Sequence, residues 1–418
     1  MPFLTPVLRF FRETRIFHRI NAFIECHNIP NFAFLFLLSA FPFFQLFGRA
    51  TLWLLPICLF LLLRSLKLFL GEPKLDFADF LVLLILLLQT ASALTGYGRA
   101  VDALSAALLT STWFFARRFW REENKKKFVL LSSVSLLIVS LIGVGQYAFG
   151  RAELRWVDAS RFGDIGGRVT SLFSNPNILA IYLLLYFPIP LWATFLPENK
   201  GRMRVFYAIT TVFCAICILL TWSRGAWLGL FLEFFLFLLF HSRKSRYMLR
   251  FLPLLFILIP FLPSNFKSRL FSIGDLGESS IRYRLQTWQG ALQMLKTYPF
   301  GIGVGERAWR AVYPHFAVSG TKTVMHAHNV FLQIATELGL WGVVVFCLWV
   351  FVSLLRAFQE RDFVPLAAIS GVLLMGLFDH LWYYPAMLVP FCAMMALCTP
   401  QIGKVTKKEH FVDILHEN

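Results

Sequence analysis

The sequence predicts an all-α integral membrane protein with about twelve transmembrane helices and a large external loop containing an amphipathic helix. Three observations support this. Of 418 residues, 58% are hydrophobic and only 15% charged, with mean hydropathy +0.65, whereas soluble domains carry about a quarter charged residues. The apolar residues gather in runs of roughly the 17 to 25 residues that a helix needs to cross a bilayer. The basic residues behind the net charge of +17 stand in short blocks between those runs. No RNA-recognition, zinc-finger or helix-turn-helix signature accompanies them, so they read as topology signals and no nucleic-acid partner is expected.

Residues 1–30 interleave Arg9, Arg12, Arg15 and Arg19 with Phe10, Phe11, Ile16, Phe17 and Ile20. That pattern suits a basic amphipathic segment on the inner membrane surface rather than a cleaved signal peptide. Residues 31–263 are expected to hold helices 1 to 9, at 32–48, 52–70, 77–97, 100–118, 128–149, 177–196, 205–222, 225–240 and 247–263. Residues 264–328 form the large external loop, 329–399 hold helices 10 to 12 at 329–355, 363–380 and 383–399, and 400–418 form a tail. With the N-terminus inside, 25 of the 40 basic residues fall in cytoplasmic segments, against Arg49, Arg99 and Arg224 in short external turns. That bias places both termini in the cytoplasm. Seven cysteines lie in or beside apolar runs without metal-type spacing, and no disulfide framework is expected.

The external loop has a pattern of its own. Ser279 or Ser280 can cap a helix in which Ile281, Leu285, Trp288, Leu292 and Leu295 recur at helical spacing, with Arg282, Gln286, Gln289 and Gln293 opposite. Arg284 flanks the apolar stripe, on the side of Trp288. Pro299 and the glycines of GIGVG end the helix, and this run lacks the strand and spacing of a nucleotide-binding fingerprint.

Four positions can carry chemistry. Arg224, in TWSRGAWLGL, opposes the charge bias at an external helix start; it is either a snorkelling arginine or, with the positive end of the next helix, part of an anion site. Arg284 either meets lipid phosphate or has a buried role. Arg168, in RVTSLFSNPNILA, precedes Asn175 and Asn177, which read as turn and cap residues. His328 stands at a membrane edge with His326 before it and Asn329 after it. An imidazole there can accept a hydroxyl proton, can be structural, or can ligate a metal with His326, although the external segments show no third ligand at a recognisable spacing. Glu233 and Glu337 sit within expected spans, where a carboxylate either marks an ion path or satisfies neighbouring helices.

TWSRGAWLGL, then RLQTWQGALQMLKTYPFGIGVG, then HAHNVFLQIATELGLWG, in that order around a long loop and preceded by RVTSLFSNPNILAIYLL, resembles the O-antigen ligase and polymerase superfamily, ligases most closely. The resemblance spans residues 160–350. It implies a GT-C-like glycosyltransferase of the bacterial inner membrane with a periplasmic active site, without metal or cofactor. The donor would be an undecaprenyl-diphosphate-linked glycan and the acceptor a sugar hydroxyl of lipid A-core. It maps the family's catalytic histidine to His328 and its essential arginines to Arg224 and Arg284, and suggests Arg168 as a further polar contact. Arg282, His326, Asn329 and Trp288 are expected to contact substrate beside them. The chemistry this implies is an inverting displacement, with His328 as base and the arginines on the leaving diphosphate. The alternatives are an O-antigen polymerase joining lipid-linked repeats and, from another class, a multi-spanning transporter or flippase.

Overall fold

The computed structural model describes residues 28–44, 55–63, 75–120, 122–154, 167–254, 257, 259–275, 277–318, 320–380 and 384–398. The expected N-terminal amphipathic segment up to residue 27, most of the second span and the C-terminal tail lie outside these residues. The described residues are helical, without strands. In chain order we label α1 Ile29–Phe44, α2 Phe77–Ala91, α3 Ala100–Thr110, α4 Thr112–Phe119, α5 Glu122–Ala148, α6 Pro176–Tyr186, α7 Pro188–Phe195 and α8 Gly201–Leu220. There follow α9 Arg224–His241, α10 Arg243–Met248, α11 Ser264–Phe271, α12 Ser279–Thr297, α13 Glu306–Val312, α14 Val330–Gln359, α15 Phe363–Gly376 and α16 Pro385–Leu397. Residues 55–63 are also helical. Among the described residues six helical runs are long and apolar enough to cross a membrane, and α1, α15 and α16 are shorter apolar helices.

A helix apolar on every side belongs inside a bundle, and the α6–α7 run does so. From Pro176 to Phe195 only Asn177, Trp192, Thr194 and Phe195 are not fully buried. Pro188 and Pro190 divide what the sequence suggests as one span into two helices. Against this centre α9 packs along α15 through small residues. A Cβ on Gly229 would lie 3.0 Å from the Gly371 carbonyl oxygen, and one on Gly371 would clash with the Glu233 carboxylate. Glu233 is thus wedged in that interface, and among the described residues neither oxygen has a hydrogen-bond partner. At the bundle end opposite Arg224, Asp79 accepts from the Trp113 indole at 2.8 Å and pairs with Arg117 at 2.7 Å, while Arg356 reaches Asp76 at 2.9 Å. These contacts tie α2, α4 and α14 together.

Four expectations change. The run 247–263 is not one continuous helix: α10 is followed by 3₁₀ turns at Leu249–Leu254 and Ile259–Phe261, in a stretch broken by Pro253, Pro260 and Pro263. Since α9 carries the chain about 27 Å from Arg224 and Ser272 is back beside Arg224, the chain returns between them, and the described residues of that return are these short pieces. The run 100–118 is split at Ser111 into α3 and α4. In α12 the buried face is Thr287, Gly290, Ala291 and Met294, whereas Leu285 and Leu292 point outward. Small residues win the packed face because they admit close neighbours: a Cβ on Gly290 would lie 2.8 Å from the Phe316 carbonyl oxygen. The helix begins from Glu278 rather than being capped by a serine.

The external loop has its own small core of Ala291, Met294, Ile302, Ala308, Trp309, Val312, Tyr313, Val324 and Ala327. Trp309 stacks on Tyr313 at 4.6 Å between centroids and donates to the Val324 carbonyl at 3.0 Å.

Candidate active site

At one end of the bundle, the ends of α8, α9, α6, α15 and α14 meet α11 and α12 of the loop. Four arginines converge there. Arg168 donates Nε to the Thr221 carbonyl and a terminal nitrogen to Asn177 Oδ1, each at 2.7 Å. Arg224, the first residue of α9, donates to the Ser272 carbonyl at 2.7 Å and Oγ at 3.0 Å, and pairs with Glu278. Arg269 donates to the Trp222 carbonyl at 3.1 Å and meets Glu278 at 3.3 Å. Arg284 donates Nε to the Phe378 carbonyl at 2.8 Å and a terminal nitrogen to Ser280 Oγ at 2.6 Å. Burial, followed by the charges of Arg269, Arg284 and Arg224, brings Arg168 down to about 9 despite Asp379. Burial and the neighbouring Arg224 likewise bring Arg269 down to about 10. Four guanidiniums face two carboxylates, Glu278 and Asp379, so positive charge is left uncompensated: the electrostatic signature of an anion site.

Beside the arginines lies an imidazole cluster. The rings of His328 and His380 each stand 4.1 Å from that of His326. His328 Nδ1 has no hydrogen-bond partner among the described residues, and Asp379 Oδ1 lies 3.7 Å away. Asp379 also accepts from Asn177 Nδ2 at 2.8 Å and from the His380 backbone N–H at 2.8 Å. Asn177 therefore joins Asp379 to Arg168, so the cap reading holds for Asn175, which caps α6, and not for Asn177. Burial by itself would raise the Asp379 carboxyl, but His328, His326 and His380 hold it well below the usual carboxylate range. Burial pushes His326 well below its ordinary value and His380 down to about 4, keeping both rings neutral at pH 7. His328 has a backbone φ of 49°, a left-handed conformation that costs a residue with a side chain about 1 kcal/mol or more and clusters at functional sites.

The GIGVG run and Glu337 have a shared structural role. Inside α14 the backbone breaks at Gly339 (φ 76°, ψ −176°), which frees carbonyls that need partners in an apolar setting. Ile302 N–H donates to the Thr336 carbonyl at 2.9 Å and Gly303 N–H to that of Glu337 at 3.1 Å. The Glu337 carboxylate accepts from Gly305 N–H at 3.0 Å and from Gln333 Nε2 at 3.2 Å, and Gln333 Oε1 accepts from Ala327 N–H at 2.7 Å. On its other side Ala327 accepts from the Trp288 indole at 2.9 Å. The backbone immediately before His328 is thus fixed from α14 and from α12.

Of the expected residues, Arg224, Arg284 and Arg168 share the arginine cluster, and His328 and His326 lie beside it. Trp288 acts on the Ala327 backbone. Asn329 caps α14, accepting from Leu332 N–H at 2.9 Å, and donates to the Leu377 carbonyl at 3.1 Å. Arg282 is exposed on the far side of α12 and lies outside the cluster. Asp379, Arg269, Glu278 and Asn177 were missed. Asp379 and His380, a polar pair closing an apolar run, gave a signal read as the end of a span; Arg269 and Glu278 gave none. Asp379 also supplies what the sequence lacked at short spacing, because His326, His328 and Asp379 each present one potential metal-ligand atom, all within 4.8 Å of one another.

Residues 209–347 match the family model for O-antigen ligase. The matched segment is thus similar to the O-antigen ligase superfamily, whose members are glycosyltransferase-like ligases and polymerases acting on lipid-linked glycans. The matched segment contains Arg224, Arg269, Glu278, Arg284 and His328, whereas Arg168, Asn177 and Asp379 lie outside it. No curated protein sequence matches the chain.

Proposed function

We propose that this protein is an O-antigen ligase that transfers a glycan from undecaprenyl diphosphate to a sugar hydroxyl of lipid A-core at the periplasmic face of the bacterial inner membrane. The observation that carries the reading is the placement of His328, backed by Asp379, next to Arg168, Arg224, Arg269 and Arg284 at one end of an apolar bundle. In this account the chain crosses the membrane twelve times in a GT-C-like arrangement, with both termini cytoplasmic and the return after α9 made in short pieces.

With Nδ1 turned toward the ionised Asp379, the proton of neutral His328 rests on Nδ1 and the lone pair on Nε2 faces substrate. The 3.7 Å separation is longer than a hydrogen bond, and a shift of less than about 1 Å closes it. His328 Nε2 takes the proton of the acceptor hydroxyl as its oxygen attacks the anomeric carbon. The bond from that carbon to the diphosphate breaks, and its electron pair leaves with undecaprenyl diphosphate. Guanidiniums, whose planar donors match phosphate oxygens, stabilise the departing charge. Direct displacement inverts the anomeric configuration. The arginines supply the charge stabilisation that a divalent ion supplies elsewhere, so the proposed reaction is metal-independent.

The test offers purified protein a lipid-linked glycan alone or together with lipid A-core. The ligase reading expects product only when core is present. Growth of lipid-linked chains without core would make the protein a polymerase, and movement of the lipid-linked glycan across proteoliposomes with no new glycosidic bond would make it a transporter.

A further inference from the structure

Glu278 is almost fully buried, yet its carboxylate does nothing to cap the helix it starts. It takes the N-cap position of α12 with extended backbone, and its side chain makes no cap hydrogen bond. Its two carboxylate oxygens are instead divided between Arg224 and Arg269. An anion whose oxygens bridge two guanidiniums occupies the place that a phosphate between arginines takes. We infer that Glu278 is an internal stand-in for the donor's diphosphate: it neutralises Arg224 and Arg269 in the donor-free protein and yields them when the donor arrives. Arg269 thereby becomes a donor-binding residue alongside Arg224 and Arg284.

Three features fit an exchange rather than a permanent ion pair. Glu278 follows a turn in which Gly274 has φ 85° and Gly274 and Gly277 are exposed, so the carboxylate has a short path to water. The remaining carboxylate of the site, Asp379, is committed to Asn177 and the imidazoles. Exchanging one carboxylate charge for the two charges of a diphosphate diester leaves the four arginines nearer to neutrality than before. The exchange also releases the first turn of α12, the helix that carries Arg284 and holds Ala327 through Trp288. Donor binding is thereby coupled to the segment that carries His328.

The inference rests on reading the arginine cluster as the diphosphate site, and one experiment separates the two claims. Farnesyl diphosphate is titrated into detergent-purified full-length protein, with Arg224→Ala as control and thermal unfolding as a check of fold. The wild type should bind and Arg224→Ala should not. Removing an internal competitor a few ångströms from the ligand should tighten binding roughly ten- to hundredfold in Glu278→Gln. Glu278→Asp, which keeps the charge but draws it back from the arginines, should fall between and serves as the measure if the glutamine variant does not fold. Unchanged or weaker binding by folded variants at position 278 would overturn the stand-in role while leaving the diphosphate site intact. No binding by the wild type, or binding that Arg224→Ala does not affect, would overturn both.

Discussion

Replacing Asp379 by asparagine removes one charge from the site with almost no change of shape, and its effect can be worked from the structure. Asp379 Oδ1 lies 3.7 Å from His328 Nδ1. At an effective dielectric of about 20, a carboxylate at that distance favours the imidazolium formed during proton transfer by about 4 to 5 kcal/mol. The two side chains retain 23% and 11% exposure, and discounting for the solvent that this admits leaves about 2 to 3 kcal/mol. That corresponds to a fall in kcat of about 30- to 150-fold. The loss grows if the new amide turns its NH₂ toward Nδ1, since the imidazole proton then sits on Nε2, where no base is left. The amide oxygen introduced by Asp379→Asn can still accept from Asn177, and no hydrogen bond to Arg224, Arg269 or Arg284 is removed; because the Asp379 charge offsets those of Arg284 and Arg168, its loss should leave KM for the donor unchanged or lower, not higher. The assay is initial-rate glycan transfer by purified variants at saturating acceptor. A kcat within about threefold of wild type would refute the His328–Asp379 pairing, and a KM effect with kcat preserved would place Asp379 in donor binding instead.

Further outcomes follow from other parts of the molecule. A Cβ on Gly339 would lie 2.6 Å from the Pro299 carbonyl oxygen, at a φ of 76°. Gly339→Ala should therefore destabilise the protein by about 3 kcal/mol or more, read as a lowered unfolding temperature in detergent. His380 titrates at about 4 in the folded chain, below its ordinary value of 6.5. Its contribution is fully present above pH 6.5 and is lost as pH falls toward 4, by about 3 kcal/mol in total. His326 acts in the same direction, so unfolding followed from pH 7 to 4 should show a steep loss, shallower in His380→Gln. Exhaustive treatment with EDTA should leave the transfer rate unchanged. A loss restored by a divalent ion would instead give His326, His328 and Asp379 the role of metal ligands.

The parts legible in the sequence were those written locally. Apolar runs gave the long helices α2, α5, α8, α9 and α14, and Asn175 proved to be the helix cap it reads as, whereas Asn329, expected against substrate, also caps a helix. Arg224 and His328 stood out as polar residues at the edge of an apolar run, Arg284 as the flank of the apolar stripe on its helix, and Arg168 through its place ahead of Asn175 and Asn177. What escaped depends on distant partners. Asp379 closed a hydrophobic stretch and was counted with it; only folding brings it to His328 and Asn177. Glu337 read as an isolated intramembrane acid because Gly305, which donates to it, lies 32 residues away. The stripe expected on α12 failed for a different reason: periodicity finds large apolar residues, while Gly290 and Ala291 earn the packed face by being small. At 247–263 composition matched a span, but three prolines remove backbone donors that a continuous helix needs.

The central claim is that His328 removes the acceptor proton at a site where arginines hold the donor's diphosphate. The most direct test compares wild type with His328→Ala, measuring donor binding and single-turnover transfer of a lipid-linked glycan to lipid A-core on the same preparations. The account predicts that His328→Ala binds donor as the wild type does and forms no glycosidic bond. Transfer by folded His328→Ala at the wild-type rate would contradict it.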